Sequence, residues 1–272
     1  MRCLNSLNFR LKGEPVMMRR FPGTLTLISP LLLGAAALMP AQAQSVSAGK
    51  LKLAFSTSTP GLIYEEGSGV QGFAAELITL MARDLKIKTM TWTRVADPAA
   101  LYTDLAKRTQ NVIFDVKLPQ ALDEVNASAA VACTGGVILS RPKGPTTEAA
   151  LKGLRIAVAQ NTVYFHYARN LPFDKKVEVF STPDQALLGF LSGSVDVLIL
   201  DRFDALKMFK KAGPSKLQVS PLLWNESVHF VMHKSEDDFR DNMNATLKKF
   251  LSDGTYAKLS KKYFTQDVRC LK

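Results

Sequence analysis

Two aspartates in this sequence each end an apolar segment, and their placement could create a cation-binding site. Asp115 follows Val112–Phe114, and Asp201 follows Val197–Leu200. If both carboxylates face one partly dry cleft, they repel each other unless a cation lies between them. The alternative is structural, because a strand-end aspartate also caps a helix that begins at the next residue, here Arg202. The residues alone leave both interpretations of Asp201 open.

Other reactive residue types lack the spacing that a catalytic or metal site requires. His229 and His233 are four residues apart, but the apolar residues between them indicate a strand, where this spacing does not focus two ligands on one metal ion. Gly67–Gly72 fits G-x-G-x-x-G but follows two glutamates rather than a strand, which favours a surface turn over a dinucleotide site. No Gly-x-Ser-x-Gly segment supports a nucleophilic serine. We therefore expect no metal, no cofactor and no catalytic residue.

A repeated order of elements must position the two aspartates. Alternating or continuous apolar segments predict strands, and apolar residues three and four apart predict helices. The first series is a strand at 51–55, a helix at 73–85, a strand at 90–93, a helix at 98–107 and a strand at 112–115. The second is a strand at 154–158, a helix capped at 161–162 and ending at 170, a strand at 177–180, a helix at 183–191 and a strand at 197–201.

The two series also share a residue register. Leu101, Leu105 and Asp115 match Leu187, Leu191 and Asp201 without a gap. Two such α/β units predict two lobes with parallel-rich sheets, in which ligands bind at the carboxyl ends of the strands. Both aspartates then lie at the edge of a shared cleft.

The N-terminus carries the three parts of a secretory signal peptide. Arg19-Arg20 precedes the apolar run Leu25–Met39, which is shorter than the roughly 20 residues of a membrane span, and small residues follow as far as Ala43. Cleavage after Ala43 leaves residues 44–272 and lowers the formal net charge from +11 to +7. The remaining basic residues are scattered, which argues against nucleic-acid binding. We predict a periplasmic protein.

Several segments resemble the periplasmic solute-binding proteins of ABC transporters, specifically the polar amino-acid type, bacterial family 3. The matching segments are Val70–Leu77, Leu151–Val158, Gly193–Val197 and Asp253–Lys258 followed by Tyr263-Phe264. The resemblance implies a type II two-lobe α/β fold with two crossover hinge strands, near Val131–Thr134 and Asn225–His229. After the signal peptide at 1–43, it implies lobe 1 at 44–131 and 229–272, and lobe 2 at 132–228.

The resemblance also implies a set of ligand-binding residues, with one departure from the family. The set is Thr59, Tyr64, Asp115, Lys117, Thr162, Val163 and Asp201. Thr162 and Val163 stand where a helix start holds the ligand's anionic group, and Asp201 stands where the ligand's ammonium group binds. Ala121, in Leu118–Ala121, occupies the position of the arginine that grips the ligand carboxylate. Because no other residue reproduces that two-pronged grip, we expect a cationic or zwitterionic ligand without a strong carboxylate clamp.

The resemblance further suggests a disulfide between Cys133 and Cys270. Cys3 leaves with the signal peptide, and the remaining two cysteines lie in an oxidising compartment. In the family the C-terminal tail returns to lobe 1, near the first crossover. Two free buried thiols are the alternative.

Three functions fit these observations. The first is a monomeric, non-catalytic binding protein that captures a small polar solute between its lobes and delivers it to an ABC transporter permease. The second is an enzyme on the same scaffold that resembles cyclohexadienyl dehydratases. The third is an accessory or sensory protein of a periplasmic quinoprotein dehydrogenase system, since relatives of that kind share an altered arginine segment.

Overall fold

The computed structural model describes residues 49–115 and 125–270. The predicted signal peptide, Lys117 and Leu118–Ala121 lie outside these ranges. Within them, no helix combines the length and the apolar character that a membrane span needs.

The described residues form thirteen strands and seven α-helices. The strands are β1 (Lys50–Phe55), β2 (Tyr64–Glu66), β3 (Gly69–Gln71), β4 (Thr89–Arg94), β5 (Val112–Asp115), β6 (Val125–Ala127), β7 (Ala132–Thr134), β8 (Gly136–Ser140), β9 (Arg155–Ala159), β10 (Lys176–Phe180), β11 (Val197–Asp201), β12 (Gln218–Val219) and β13 (Glu226–His233). The helices are α1 (Phe73–Asp84), α2 (Pro98–Ala106), α3 (Val163–Arg169), α4 (Pro183–Ser192), α5 (Arg202–Ala212), α6 (Asp237–Ser252) and α7 (Thr255–Phe264).

These elements form two large sheets with the same core topology. The first has the order β4-β1-β5-β13-β6, in which β4, β1 and β5 are parallel and β13 is antiparallel. The second has the order β10-β9-β11-β8-β12, in which β10, β9 and β11 are parallel and β8 is antiparallel. The predicted repeat of strand, helix, strand, helix, strand is confirmed, and so is the two-lobe α/β fold class.

The predicted register between the two repeats is wrong by one residue in the helices. Leu105 on α2 is fully buried, whereas Leu191, its predicted counterpart on α4, is 57% exposed. The two helices begin at equivalent caps, Asp97 and Thr182, each followed by proline. Counting from the caps pairs Leu105 with Phe190, which is 1% exposed. The segment from the α4 cap to the end of β11 is one residue longer than its counterpart in the first repeat. This extra residue brings Asp115 and Asp201 back into register.

The two sheets are connected through β7 and β13. These strands pair antiparallel, with Thr134 opposite Glu226 and Ala132 opposite Val228. From β7 the chain continues through Gly135 into β8 of the second sheet, and β13 runs from this pairing into the first sheet. The predicted crossovers lie at this connection. The boundaries of the two lobes stay a prediction.

Helix α5 follows β11 of the second sheet, yet its inner face packs into the core of the first. Phe203 and Leu206 are each 1% exposed and belong to the cluster that contains Phe73 and Phe264. The rings of Phe203 and Phe264 are 5.0 Å apart between centroids. We call this contact between α5 and the first core the α5 seam. It joins the lobes by apolar burial in addition to the crossovers.

The predicted disulfide between Cys133 and Cys270 is present and joins β7 to the C-terminal tail. The backbone supports it, because the N–H of Cys133 donates to the carbonyl oxygen of Val268 at 2.8 Å. Arg202 at the start of α5 donates to the carbonyl oxygens of Cys133, at 2.9 Å, and Asp267, at 2.8 Å. One guanidinium therefore ties α5, the crossover and the tail together.

Candidate ligand-binding site

Asp201 ends β11 and caps α5, as the structural alternative in the sequence predicted. Its Oδ1 accepts the backbone N–H of Phe203 at 2.7 Å. Its Oδ2 accepts the hydroxyl of Thr134 at 2.6 Å and the hydroxyl of Tyr164 at 3.2 Å. Burial raises the pKa of the Asp201 carboxyl, and these hydrogen bonds counteract part of that effect. The carboxylate is therefore a largely desolvated group that links β11, β7 and α3.

Tyr164, which bonds to this carboxylate, belongs to a group of three aromatic rings. Tyr164 stacks on Trp224 with centroids 5.8 Å apart, and the ring of Tyr167 lies 4.8 Å from Trp224 between centroids. The indole N–H of Trp224 donates to Glu226 Oε1 at 2.8 Å. Gly136 makes room for this ring, since a Cβ there would lie 2.2 Å from it.

Negative charge accumulates around these rings. Burial raises the pKa of the Tyr164 hydroxyl, and the charges of Asp201, Glu226 and Asp204 raise it further. Burial, followed by the charge of Asp201, raises the pKa of Asp204 to about 6. We call Tyr164, Asp201, Asp204, Trp224 and Glu226 the acidic–aromatic cluster. Three carboxyl groups beside two ring faces favour a cation over an anion.

Thr162 caps α3, and this role occupies its hydroxyl. Thr162 Oγ1 accepts the backbone N–H of Phe165 at 3.2 Å and donates to the carbonyl oxygen of Ala159 at 2.7 Å. Val163, the first residue of the helix, is 48% exposed. A ligand anion at this helix start would therefore meet the backbone N–H groups of the first turn and the positive end of the helix dipole.

The predicted residues of the first lobe lie on other elements. Thr59 donates its backbone N–H to the carbonyl oxygen of Ile63 at 2.7 Å, which closes the loop before β2. Tyr64 begins β2 and lines an open groove described below. Asp115 is the last residue of β5, and its backbone pairs with that of His229. The structure thus brings Thr162, Val163 and Asp201 together around Tyr164. Thr59 and Tyr64 lie instead on the segment that precedes α1.

The glycine motif and the histidines, which the sequence does not favour as chemical sites, have structural roles. Gly67–Gly72 spans the turn and second strand of the β2–β3 hairpin and the cap of α1. His229 Nδ1 lies 2.7 Å from the carbonyl oxygen of Ser128, while His233 neighbours Arg108 and Ser235. Within 49–115 and 125–270, no three ligating side chains gather as a metal site would require.

Sequence reasoning missed Thr134, Tyr164, Asp204 and Glu226 and left Trp224 unassigned. Their positions carried a usable signal. Tyr164 is the second residue of the helix that Thr162 caps, and Trp224 and Glu226 flank the start of the predicted second crossover. Residues that adjoin a helix start or a crossover at the cleft edge are within reach of a ligand there.

Replacing Asp204 with asparagine is expected to stabilise the protein in a pH-dependent way. Because the pKa of Asp204 is about 6 in the folded protein, above the ordinary value of 3.8, the folded state holds this proton more tightly than the unfolded state. The resulting destabilisation is absent below pH 3.8 and complete above pH 6, where it amounts to at most about 3 kcal/mol. Urea unfolding of both proteins at pH 4 and pH 7.5 measures it. A stability difference that is the same at both pH values would contradict the assignment.

Comparison with known proteins places this chain in a family. Residues 51–266 match the bacterial extracellular solute-binding proteins, family 3. The chain is 24% identical over 216 residues to the probable amino-acid-binding protein YxeM of Bacillus subtilis, covering 75% of this chain and 80% of that protein. It is 27% identical over 201 residues to the L-cystine-binding protein TcyA of the same organism, covering 72% and 74%.

Solved structures share the fold. A polar amino acid ABC uptake transporter substrate-binding protein from Streptococcus thermophilus superposes with a TM-score of 0.73 at 21% identity, covering 83% of this chain and 89% of that chain. The match to the family extends from β1 to the end of α7 and includes both large sheets. The chain therefore belongs to the bacterial extracellular solute-binding proteins of family 3.

Proposed function

We propose that this protein is exported to the periplasm, binds a small cationic or zwitterionic amino-acid-like solute between its lobes, and presents it as a monomer to an ABC transporter permease without transforming it. The observation that carries the proposal is the acidic–aromatic cluster at the carboxyl end of β11. Membership of the solute-binding family and the names of the two relatives, which describe amino-acid and cystine binding, support the binding role. They do not favour the dehydratase or the quinoprotein accessory function.

The charge of the cluster selects for a positive group. Asp201 is desolvated, and Asp204 and Glu226 lie near enough to affect the same tyrosine. An ammonium group would neutralise part of this charge in a low-dielectric setting, where the attraction is stronger than in water. The faces of Tyr164 and Trp224 would add cation–π attraction. The carboxylate of a zwitterion would bind at the start of α3 through backbone N–H groups, and Lys117 would contribute at most a point charge.

The same cluster would couple binding to lobe closure. Thr134 and Glu226 lie opposite each other on the crossover strands, and both bond to cluster residues, Asp201 and Trp224. A ligand held by the cluster therefore acts on the strands about which the lobes would rotate. Hinge closure of this kind is the usual way in which two-lobe binding proteins respond to a ligand.

The test is calorimetry of the purified protein with arginine, lysine, histidine, cystine, putrescine and glutamate. We expect basic ligands to bind and glutamate to bind much more weakly. Asp201→Asn should weaken binding by about 30-fold or more, because removing one partner of a buried charged hydrogen bond costs about 2–5 kcal/mol. Asparagine also caps helices well, so α5 should remain capped.

Asp97→Asn is the matched control. Asp97 caps α2 through a bond from the backbone N–H of Ala99 at 3.0 Å, the same i to i+2 arrangement that Asp201 has with Phe203. This variant should bind like the unchanged protein. Unchanged affinity in Asp201→Asn, or a preference for glutamate, would refute the cation site. Recovery of a chemically altered ligand after incubation would refute the non-catalytic role.

A further inference from the structure

A groove lies beside the α5 seam and is lined by residues outside the acidic–aromatic cluster. It is a groove of about 600 Å³ formed by the loop before β2, the outer face of α5 and the end of α7. Its volume lies within the range typical of small-molecule sites. The residues that bear on its chemistry are Tyr64, Glu65, Lys207, Lys210, Lys211 and Tyr263. Both lobes contribute to it.

The groove carries three ammonium groups, one of which, that of Lys207, also acts on the carboxyl of Asp204 one helical turn away. Lys207 and Lys211 are four residues apart on α5 and therefore lie on the same helix face, and both are exposed. Lys210 adds a third ammonium group, which is held at the rim by the carbonyl oxygens of Lys262, at 2.9 Å, and Tyr263, at 3.4 Å. The carboxylate of Glu65 also lines the groove, but it is paired with Arg94 at 3.0 Å.

The floor of the groove is apolar and closely fitted. Pro60, Gly61 and Phe264 line it, together with the rings of Tyr64 and Tyr263. Gly61 has a φ of 75°. A Cβ at that position would lie 2.9 Å from the Phe264 ring, so the loop backbone lies directly against the ring. A ligand here would place an apolar body on this floor.

The groove is held in shape by contacts that need no ligand. The α5 seam buries Phe203 and Leu206 in the first core, which fixes the helix that carries the lysines. The Tyr263 hydroxyl donates to Glu76 Oε2 at 2.6 Å, which orients its ring. A preorganised site loses less conformational entropy on binding than one that must be assembled.

From this arrangement we propose that the groove binds a small organic anion with an apolar body, such as an aromatic or short aliphatic carboxylate. Its anionic group is held by Lys207 and Lys211, and its apolar part lies between the rings of Tyr64 and Tyr263. Lysine attracts anions as a point charge, so the site selects for charge and apolar area rather than for two-pronged carboxylate geometry. Lys207 and Lys211 lie about 9 and 15 Å along the helix from Asp201. The groove shares no lining residue with the acidic–aromatic cluster, although Lys207 lies one turn from Asp204, and the two sites are opposite in charge preference.

Calorimetry of the purified protein with benzoate, phenylacetate and hexanoate tests this site, with benzamide as the uncharged probe. We expect saturable binding of at least one of these carboxylates, weaker binding at higher salt, and little binding of benzamide. The double variant Lys207→Gln/Lys211→Gln should bind the carboxylate about tenfold less tightly or worse. The double variant Lys50→Gln/Lys88→Gln removes the same charge from two exposed lysines at the amino ends of β1 and β4, and should bind normally.

Asp201→Asn separates this site from the cluster, since the variant should retain carboxylate binding in the groove while losing the basic ligand. Saturable binding that is lost only in the Lys207/Lys211 variant supports the proposal. The proposal is overturned if none of the three carboxylates binds saturably, if benzamide binds as well as benzoate, or if the two double variants lose affinity equally. Thermal unfolding of each variant shows whether a loss of binding reflects a loss of folding, and a folded double variant that binds normally also overturns the proposal.

Discussion

Breaking the bond between Cys133 and Cys270 is expected to lower the free energy of unfolding by about 4–5 kcal/mol. The two cysteines are 137 residues apart, and in the chain-entropy treatment a crosslink over so long a loop removes much of the freedom of the unfolded chain. The folded state depends on it too, because the tail that it anchors supplies the Val268 and Asp267 carbonyl oxygens that bond to Cys133 and Arg202.

Urea unfolding with and without a reducing agent measures this effect. Cys270→Ser should reproduce the stability of the reduced protein and should not respond to the reducing agent. Cys270 is the residue to replace, because Cys133 is fully buried and its substitution would add a packing cost of its own. Equal stability of the oxidised and reduced proteins would contradict the prediction.

Phe203→Ala is expected to destabilise the protein by about 3–5 kcal/mol and to change the average separation of the lobes. Phe203 is 1% exposed and packs on Phe264, so its loss leaves a cavity in the α5 seam. Because the seam joins α5 to the first core, its weakening should let the lobes separate further in the unliganded protein. Small-angle scattering should then report a larger radius of gyration.

Phe190→Ala provides the matched control for the seam. Phe190 is also 1% exposed, but it belongs to a core cluster formed within the second sheet and its helices. Its replacement should cost a similar amount of stability and leave the radius of gyration unchanged. A Phe203→Ala protein with unaltered dimensions, or one destabilised by less than about 1 kcal/mol, would show that the seam does not hold the lobes together.

The elements of the fold follow from signals that act over short stretches of chain. Thr162 predicted the start of α3 because a hydroxyl at that position satisfies a backbone N–H three residues on, and the structure shows that bond. A cap was one of the two interpretations of Asp201 for the same reason, and the phenylalanine two residues on supplies the N–H. Such interactions are decided within about one helical turn, so residue type and spacing are sufficient to place them.

The register of α4 shows where local pattern is insufficient. An unbroken match of leucines paired Leu191 with Leu105, but packing against the second sheet buries Phe190 in the position equivalent to Leu105. A shift of one position turns a helical residue by about 100°, from the core to the solvent. Which residue of the helix is buried depends on where the cap starts the helix and on how the helix packs on the sheet.

The residues of the candidate site and of the groove depend on tertiary structure more than the helix caps do. Tyr164 and Trp224 are 60 residues apart in the chain, and Lys210 reaches carbonyl oxygens more than 50 residues away. The sequence alone determined the repeat and the aspartates at the strand ends, because these follow from periodicity and strand topology. Only tertiary packing decided which lysines face a groove, through the contact of α5 with the first core, and which ring bonds to Asp201, through the contact of α3 with the end of β11. Those contacts join segments that are far apart in the chain. Their energy comes from burying one surface against another, so neither segment's own sequence indicates its partner.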